Sequence, residues 1–197
     1  MALVRRSMTL LALLAVVALA QKGSSLLSLG YGTLYNSAVN DSLKLSGHLL
    51  RAEYVYTYGD YGGTLDAQLL DAGQGDKSPF ALAEASYRVL NQAWFPELWM
   101  GGAFLYADSL GQKSLLENLE MREAGLGMTC AFHTAWFDKG YGNFSMRYFP
   151  KSHALYKSMQ IGWNVIPHLG LSFGGLGIRI PKGRYYSSFV FATRVEF

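Results

Sequence analysis

The sequence predicts an all-β chain: a closed, antiparallel, up-and-down transmembrane β-barrel of about ten strands, with eight as the alternative. Three observations predict it. Beyond residue 20, apolar and polar residues alternate with period two. The chain opens on an export-type leader, MALVRRSMTLLALLAVVALA. Its composition is 50 % apolar and 14 % aromatic, with 22 glycines and only 16 % charged residues.

The composition excludes several classes. Charge this sparse argues against a disordered or heavily solvated chain. The single cysteine, Cys130, rules out a disulfide scaffold and any cysteine-built metal site. In the leader, Arg5 and Arg6 form a positive start, Met8 to Ala18 an apolar stretch, and Ala18-Leu19-Ala20 a small-x-small cleavage site. The apolar run of about 13 residues is short of the ~20 that a spanning helix needs. The expected division is therefore a cleaved signal peptide over 1–20 and a barrel over 21–197, with Gln21 as the mature start. Removing the two arginines takes Lys plus Arg from 17 to 15 against 14 acidic residues, so the mature chain is near neutral. That charge carries no nucleic-acid signal, and none of the later segments is a helical membrane span.

The strands are justified one by one. In 25–36, Leu27, Leu29, Tyr31 and Tyr35 oppose Ser28, Gly30, Gly32 and Asn36. In 44–58, Ala52, Tyr54, Tyr56 and Tyr58 oppose Arg51, Glu53 and Thr57. From Tyr61, Leu65, Ala67 and Leu69 oppose Gly62, Thr64, Asp66 and Gln68; a helix over 64–72 competes there, because LDAQLLDA holds good helix formers. Residues 79–90 alternate weakly, with Ala81, Ala83, Ala85, Tyr87 and Val89 against Glu84, Ser86 and Arg88. Residues 98–107 are apolar on both faces. Ala124, Leu126, Met128, Cys130, Phe132 and Trp136 oppose Glu123, Gly125, Gly127, Thr129, Ala131 and His133. Phe144, Met146 and Tyr148 oppose Asn143, Ser145 and Arg147. In 153–165, Leu155, Met159, Ile161 and Trp163 oppose Tyr156, Ser158, Gln160, Gly162 and Asn164. Residues 168–180 change phase near Gly174-Gly175, which predicts a bulge. Finally Phe189, Phe191, Thr193, Val195 and Phe197 oppose Ser188, Ala192, Arg194 and Glu196, with Val190 as the exception.

The strand at 61–69 makes the count even, as single-chain bacterial barrels require. Connections then alternate. Short ones fall at Gly59-Asp60, 91–97, Asp138-Lys139-Gly140 and Ile166-Pro167; longer or more polar ones fall at 37–43, 71–79, 108–121, 150–154 and 181–184. Ten strands leave about 18 residues for each strand and its connection, enough for a tilted span of ~9–11.

Alternation alone does not say which face is inside. A soluble barrel points its apolar face inward; a membrane barrel points it at lipid. Export, a polar face rich in Gly, Ser and Thr, and the abundance of rings favour lipid. Rings near predicted strand ends are Tyr31, Tyr58, Tyr61, Trp94, Trp99, Tyr106, Trp136, Tyr141, Tyr148, Tyr156, Trp163, Tyr185 and Tyr186. One ring alone reads as ordinary packing; the set reads as a membrane boundary.

On these residues the chain resembles small bacterial outer-membrane β-barrel proteins. The leader and the terminal SSFVFATRVEF carry the likeness, supported by VLNQAWFPELWMGGAFLY. The terminal segment resembles the signal read by the barrel-assembly machinery, on Phe189, Phe191, Val195 and Phe197. The resemblance implies residence in the bacterial outer membrane, contact with its lipids, and that machinery as a partner during biogenesis. It names no surface partner and no nucleic-acid partner.

With polar parities inward, the expected lumen network is Arg51, Arg88, Arg147 and Arg194 against Glu53, Asp66, Glu84, Glu123 and Glu196, with Gln160 and Asn164 as neighbours. Near-balanced charge reads as a plug of ion pairs rather than a selective pore. The histidines, His48, His133, His153 and His168, show no zinc spacing, and neither HExxH nor G-x-S-x-G occurs. No metal, cofactor or catalytic residue is expected. The leading expectation is a non-enzymatic envelope or surface protein acting through loops 71–79 and 108–121. Three alternatives stay open: a narrow pore for small or apolar solutes, a lipid-modifying enzyme using His153 with Ser152 or Ser158, and a soluble lipocalin-like binder.

Overall fold

Each alternating segment becomes a strand in the structure, a computed structural model. It describes residues 23–40, 43–71, 77–91, 96–107, 121–134, 140–180 and 184–197. The expected leader over 1–20, the start at Gln21, most of loops 71–79 and 108–121, and the rings of Trp94, Trp136, Tyr185 and Tyr186 lie outside what is described. The strands are β1 (Ser24–Asn40), β2 (Leu43–Tyr58), β3 (Tyr61–Asp71), β4 (Lys77–Leu90) and β5 (Glu97–Ala107). They continue with β6 (Met121–Thr134), β7 (Gly140–Phe149), β8 (Ala154–Ile166), β9 (Leu169–Ile180) and β10 (Arg184–Glu196).

Every strand pairs antiparallel with its chain neighbours, and β1 closes on β10, giving a ten-stranded up-and-down barrel. At the seam Leu27 faces Val195 and Tyr31 faces Phe191. The Phe197 N–H donates to the Ser25 carbonyl at 2.8 Å, and the Ser25 N–H donates to the Phe197 carbonyl at 3.3 Å. Closure leaves no unpaired edge, the condition for strands to stand in hydrocarbon.

The region open to a helix, 64–72, lies largely within β3, paired on both sides. The hairpin before it turns on Gly59, whose φ of 59° suits a residue without a Cβ. The strand ends that flank 59–60, 91–96, 135–139 and 167–168 lie at one rim with the two ends of the seam; those that flank the other five connections lie at the opposite rim. We call these the short-turn rim and the loop rim.

Two expectations need correction. The connection expected over 37–43 is strand almost throughout, since β1 reaches Asn40 and β2 starts at Leu43. The bulge expected near Gly174-Gly175 is absent: β9 pairs without a break there with both β8 and β10. Ser172, Leu176 and Ile178 are all buried, so the inward parity never changes. What changes is the character of the interior, from polar below to apolar above.

Candidate functional site

The outward face is mostly apolar, with exposed Arg122, Lys157 and Arg179 as charged exceptions toward the loop rim. Leu126 is 71 % exposed and Phe191 66 %, with Leu29, Leu50, Leu65, Phe104 and Met159 among the other exposed apolar side chains. Inward residues on the same strands include Glu84, 7 % exposed, and Arg147, 3 % exposed. This is the reverse of a soluble barrel's polarity.

Aromatic side chains gird both ends of the apolar wall. Near the short-turn rim stand Tyr58, Tyr61, Tyr87 and Trp163, with Tyr61 and Tyr87 edge-to-face at 5.5 Å. Toward the loop rim three tyrosines have basic companions. Tyr31 bonds His48 Nδ1 at 2.5 Å, Tyr148 bonds His153 Nδ1 at 3.0 Å, and the Arg122 guanidinium lies 5.2 Å over Tyr106. Three rings expected at the boundary are inside instead. Trp99, Tyr141 and Tyr156 have inward parity and are 7 %, 5 % and 0 % exposed. Their nearness to strand ends misled; their position in the alternation, plain for Tyr156, placed them with the polar face.

The interior is built in two layers. The lower layer, nearer the short-turn rim, is polar. Arg51 donates from Nε and Nη2 to the two oxygens of Asp66 at 3.0 and 2.9 Å, and from Nη2 to Glu53 at 2.8 Å. Gln68 Nε2 and the Tyr156 hydroxyl also donate to Asp66 Oδ2, at 3.0 and 2.8 Å. Asp66 thus accepts four bonds, which compensates for burying its charge. Across the bore, Arg147 Nε donates to Glu84 Oε2 at 2.6 Å, and its Nη1 donates to Ser145 at 2.6 Å. Gly127 makes room for this pair, since a Cβ there would lie 2.8 Å from the Glu84 carboxyl carbon. Gln160 Nε2 reaches Glu53 at 3.4 Å.

The other expected lumen residues share the inward parity but stand outside these two ion-paired groups. Arg88 sits at the short-turn rim, donating to Asp60 at 2.8 Å and Glu97 at 3.0 Å, over the Trp99 ring. Neither acidic partner was anticipated. Hairpin register held the signal for Asp60, because Tyr61 pairs with Tyr87 and so sets Asp60 beside Arg88. Glu123 lies at the loop rim, where it takes the backbone N–H and the hydroxyl of Ser152 and anchors the 150–153 turn. Arg194 stacks 3.9 Å from the Tyr141 ring centroid; its Nε has no hydrogen-bond partner among the described residues. Glu196 accepts from Ser24 at 3.4 Å. Asn164 holds its Oδ1 toward Gly170. Between the rim and the ion pairs lies a cavity of about 250 Å³, lined by Ser28, Glu53, Glu84, Trp99, Tyr141, Arg147, Gln160 and Arg194 among others.

The upper layer is apolar. Leu34, Leu49, Leu70, Phe80, Leu82, Ala103, Leu105, Ala107, Phe149, Ala154, Tyr156, Leu176, Ile178 and Val190 form one buried cluster. Tyr156 joins the layers: its ring stacks on Phe80 at 5.5 Å and lies 5.6 Å from the Arg147 guanidinium, while its hydroxyl reaches Asp66.

The residues weighed for lipid chemistry do not converge. Ser152 turns to Glu123, whereas His153, at φ 53°, turns outward to Tyr148. Ser158 is buried within the bore. Among the described residues, no three His, Cys, Asp or Glu side chains gather as a metal site.

A closed barrel that is greasy outside and ion-paired inside has the architecture of the outer-membrane β-barrels. Among solved structures it is similar to Neisserial surface protein A, with 11 % identity over 89 % of this chain and 97 % of that one, TM-score 0.43. It is similar to Ail, the attachment invasion locus protein of Yersinia pestis, with 12 % identity over 89 % and 99 %, TM-score 0.41. The KdgM porin aligns at 7 % identity over 86 % and 99 %, TM-score 0.41. No protein-family model matches the chain, and no curated protein matches it.

Proposed function

We propose that this chain is an integral protein of the bacterial outer membrane with a permanently plugged bore. Its work lies in envelope integrity or surface interaction at the loop rim, without catalysis. The membrane placement is supported by the girdled apolar wall. From Tyr58 to His48 the strand takes ten residue steps. At ~3.3 Å per residue and a tilt of about 40°, that is about 25 Å of height, the size of the apolar band of such barrels.

The plug rests on the apolar upper layer. Leu49, Leu105, Phe149, Ala154 and Tyr156 are each 0 % exposed, which supports a dry layer across the bore. The ion pairs below are joined through Tyr156, whose hydroxyl reaches Asp66 and whose ring lies 5.6 Å from the Arg147 guanidinium. In planar bilayers the refolded full chain is expected to give no conductance steps above leak. Recurrent steps from the wild type overturn the plug and restore the narrow-pore alternative.

A further inference from the structure

The outward face of β8 and β9 breaks the greasy pattern at one height. Lys157 and Arg179 both point away from the bore and are exposed. Lys157 pairs in register with Gly177, and Arg179 with Leu155. The two cations are therefore diagonal neighbours, about 7–8 Å apart at the backbone. Neither forms an ion pair among the described residues. Toward the short-turn rim, the next large outward side chains on these strands are Met159, Ile161 and Trp163, then Phe173 and Leu171, all exposed. The cations thus stand near the loop-rim end of the apolar wall, with Leu155 the outward apolar side chain beyond Lys157 on β8. Lys151 is exposed in the adjoining turn, and His153 is held on the same outer side by Tyr148.

On β9, directly below Arg179, the wall is bare. β9 turns Gly177 and Gly175 outward before reaching Phe173. Gly175 pairs with Met159 on one side and Phe189 on the other. A Cβ at Gly175 would find no heavy atom nearer than the Ser188 carbonyl at 3.9 Å. The result is a lane floored by backbone, walled by Met159 and Phe189, and stopped by the stacked Phe173 and Phe189 rings. Cations at the head and an apolar lane running down from them match one chemistry, an anionic headgroup on an acyl chain.

We propose that this face binds a net-anionic, phosphate-bearing lipid of the adjoining leaflet. The phosphate lies between Lys157 and Arg179, and one acyl chain follows the Gly177–Gly175 lane. This rests on the membrane placement proposed above.

The test uses the full chain refolded in neutral detergent micelles, with bound lipid counted by native mass spectrometry. Phosphatidylglycerol is expected to be retained at least about tenfold better than phosphatidylcholine, since two cations favour net negative charge. Millimolar inorganic phosphate is expected not to displace it. Lys157→Gln with Arg179→Gln is expected to weaken retention about 30-fold. Gly175→Leu, which fills the lane, is expected to weaken it about tenfold. Heat-dependent gel mobility checks that each variant folds, and the double glutamine variant, being on the surface, decides the matter if Gly175→Leu does not. Unchanged retention in the double variant, equal retention of phosphatidylcholine, or displacement by free phosphate each overturns the lipid site. A chain that stays soluble without detergent overturns the membrane placement itself, a different failure with a different readout.

Discussion

The two halves of the bore solve the same filling problem with opposite chemistry. Below, Arg51, Glu53, Asp66, Glu84 and Arg147 fill space with paired charges; above, Phe80, Leu82, Leu105, Phe149 and Ile178 fill it with hydrocarbon. A charged filling depends on complete partnership, because one missing member strands a buried charge. An apolar filling fails by degrees, because each side chain loses only its own contacts and leaves a cavity. The halves therefore respond differently to the loss of one residue and to its repair.

The largest effect is expected from Arg147→Ala, which leaves Glu84 ionised and unpaired in the bore. It should cost about 3–5 kcal/mol of unfolding free energy, read from urea titration in micelles. Adding Glu84→Leu to Arg147→Met should recover most of that loss. If the double variant is as unstable as the single one, the lower layer is not held by partnership. Leu105→Ala comes next, at about 2–5 kcal/mol, and no change of a single neighbouring charge should rescue it. The smallest effect is expected from Arg88→Ala at the short-turn rim. Its partner Asp60 has a side chain 53 % exposed, so the cost should be about 0–1 kcal/mol and should vanish at high salt. A loss as large as that of Arg147→Ala would show that the rim is as dry as the interior.

The same contrast explains what was legible in the sequence. The outer face is apolar at most second positions, so wherever the inner face is polar the alternation is sharp. Strands β2, β6 and β7 were readable for that reason. The upper half of the bore erases the contrast, because apolar residues there face apolar residues through the sheet. That is why 98–107 looked apolar throughout: Ala103, Leu105 and Ala107 point inward and Phe104 and Tyr106 outward. It is why Val190 seemed an exception and why Leu176 and Ile178 mimicked a change of phase. All three irregularities are the apolar layer seen edge-on in sequence. The structure brings Arg51, Glu53, Asp66, Glu84 and Arg147 together in the bore, but which of them pair is not legible in the sequence. Arg147 meets Glu84 from 63 residues away, and the meeting depends on how closure staggers the strands, which local spacing does not encode.

Tyr156 carries a consequence for how the barrel assembles. Its hydroxyl serves a carboxylate that lies 90 positions earlier in the chain, and its ring serves both fillings at once. Until β8 swings round to face β3, the acidic hub on the early hairpin has lost one donor and remains wet. Completion of the acidic cluster and completion of the wall are thereby geometrically coupled.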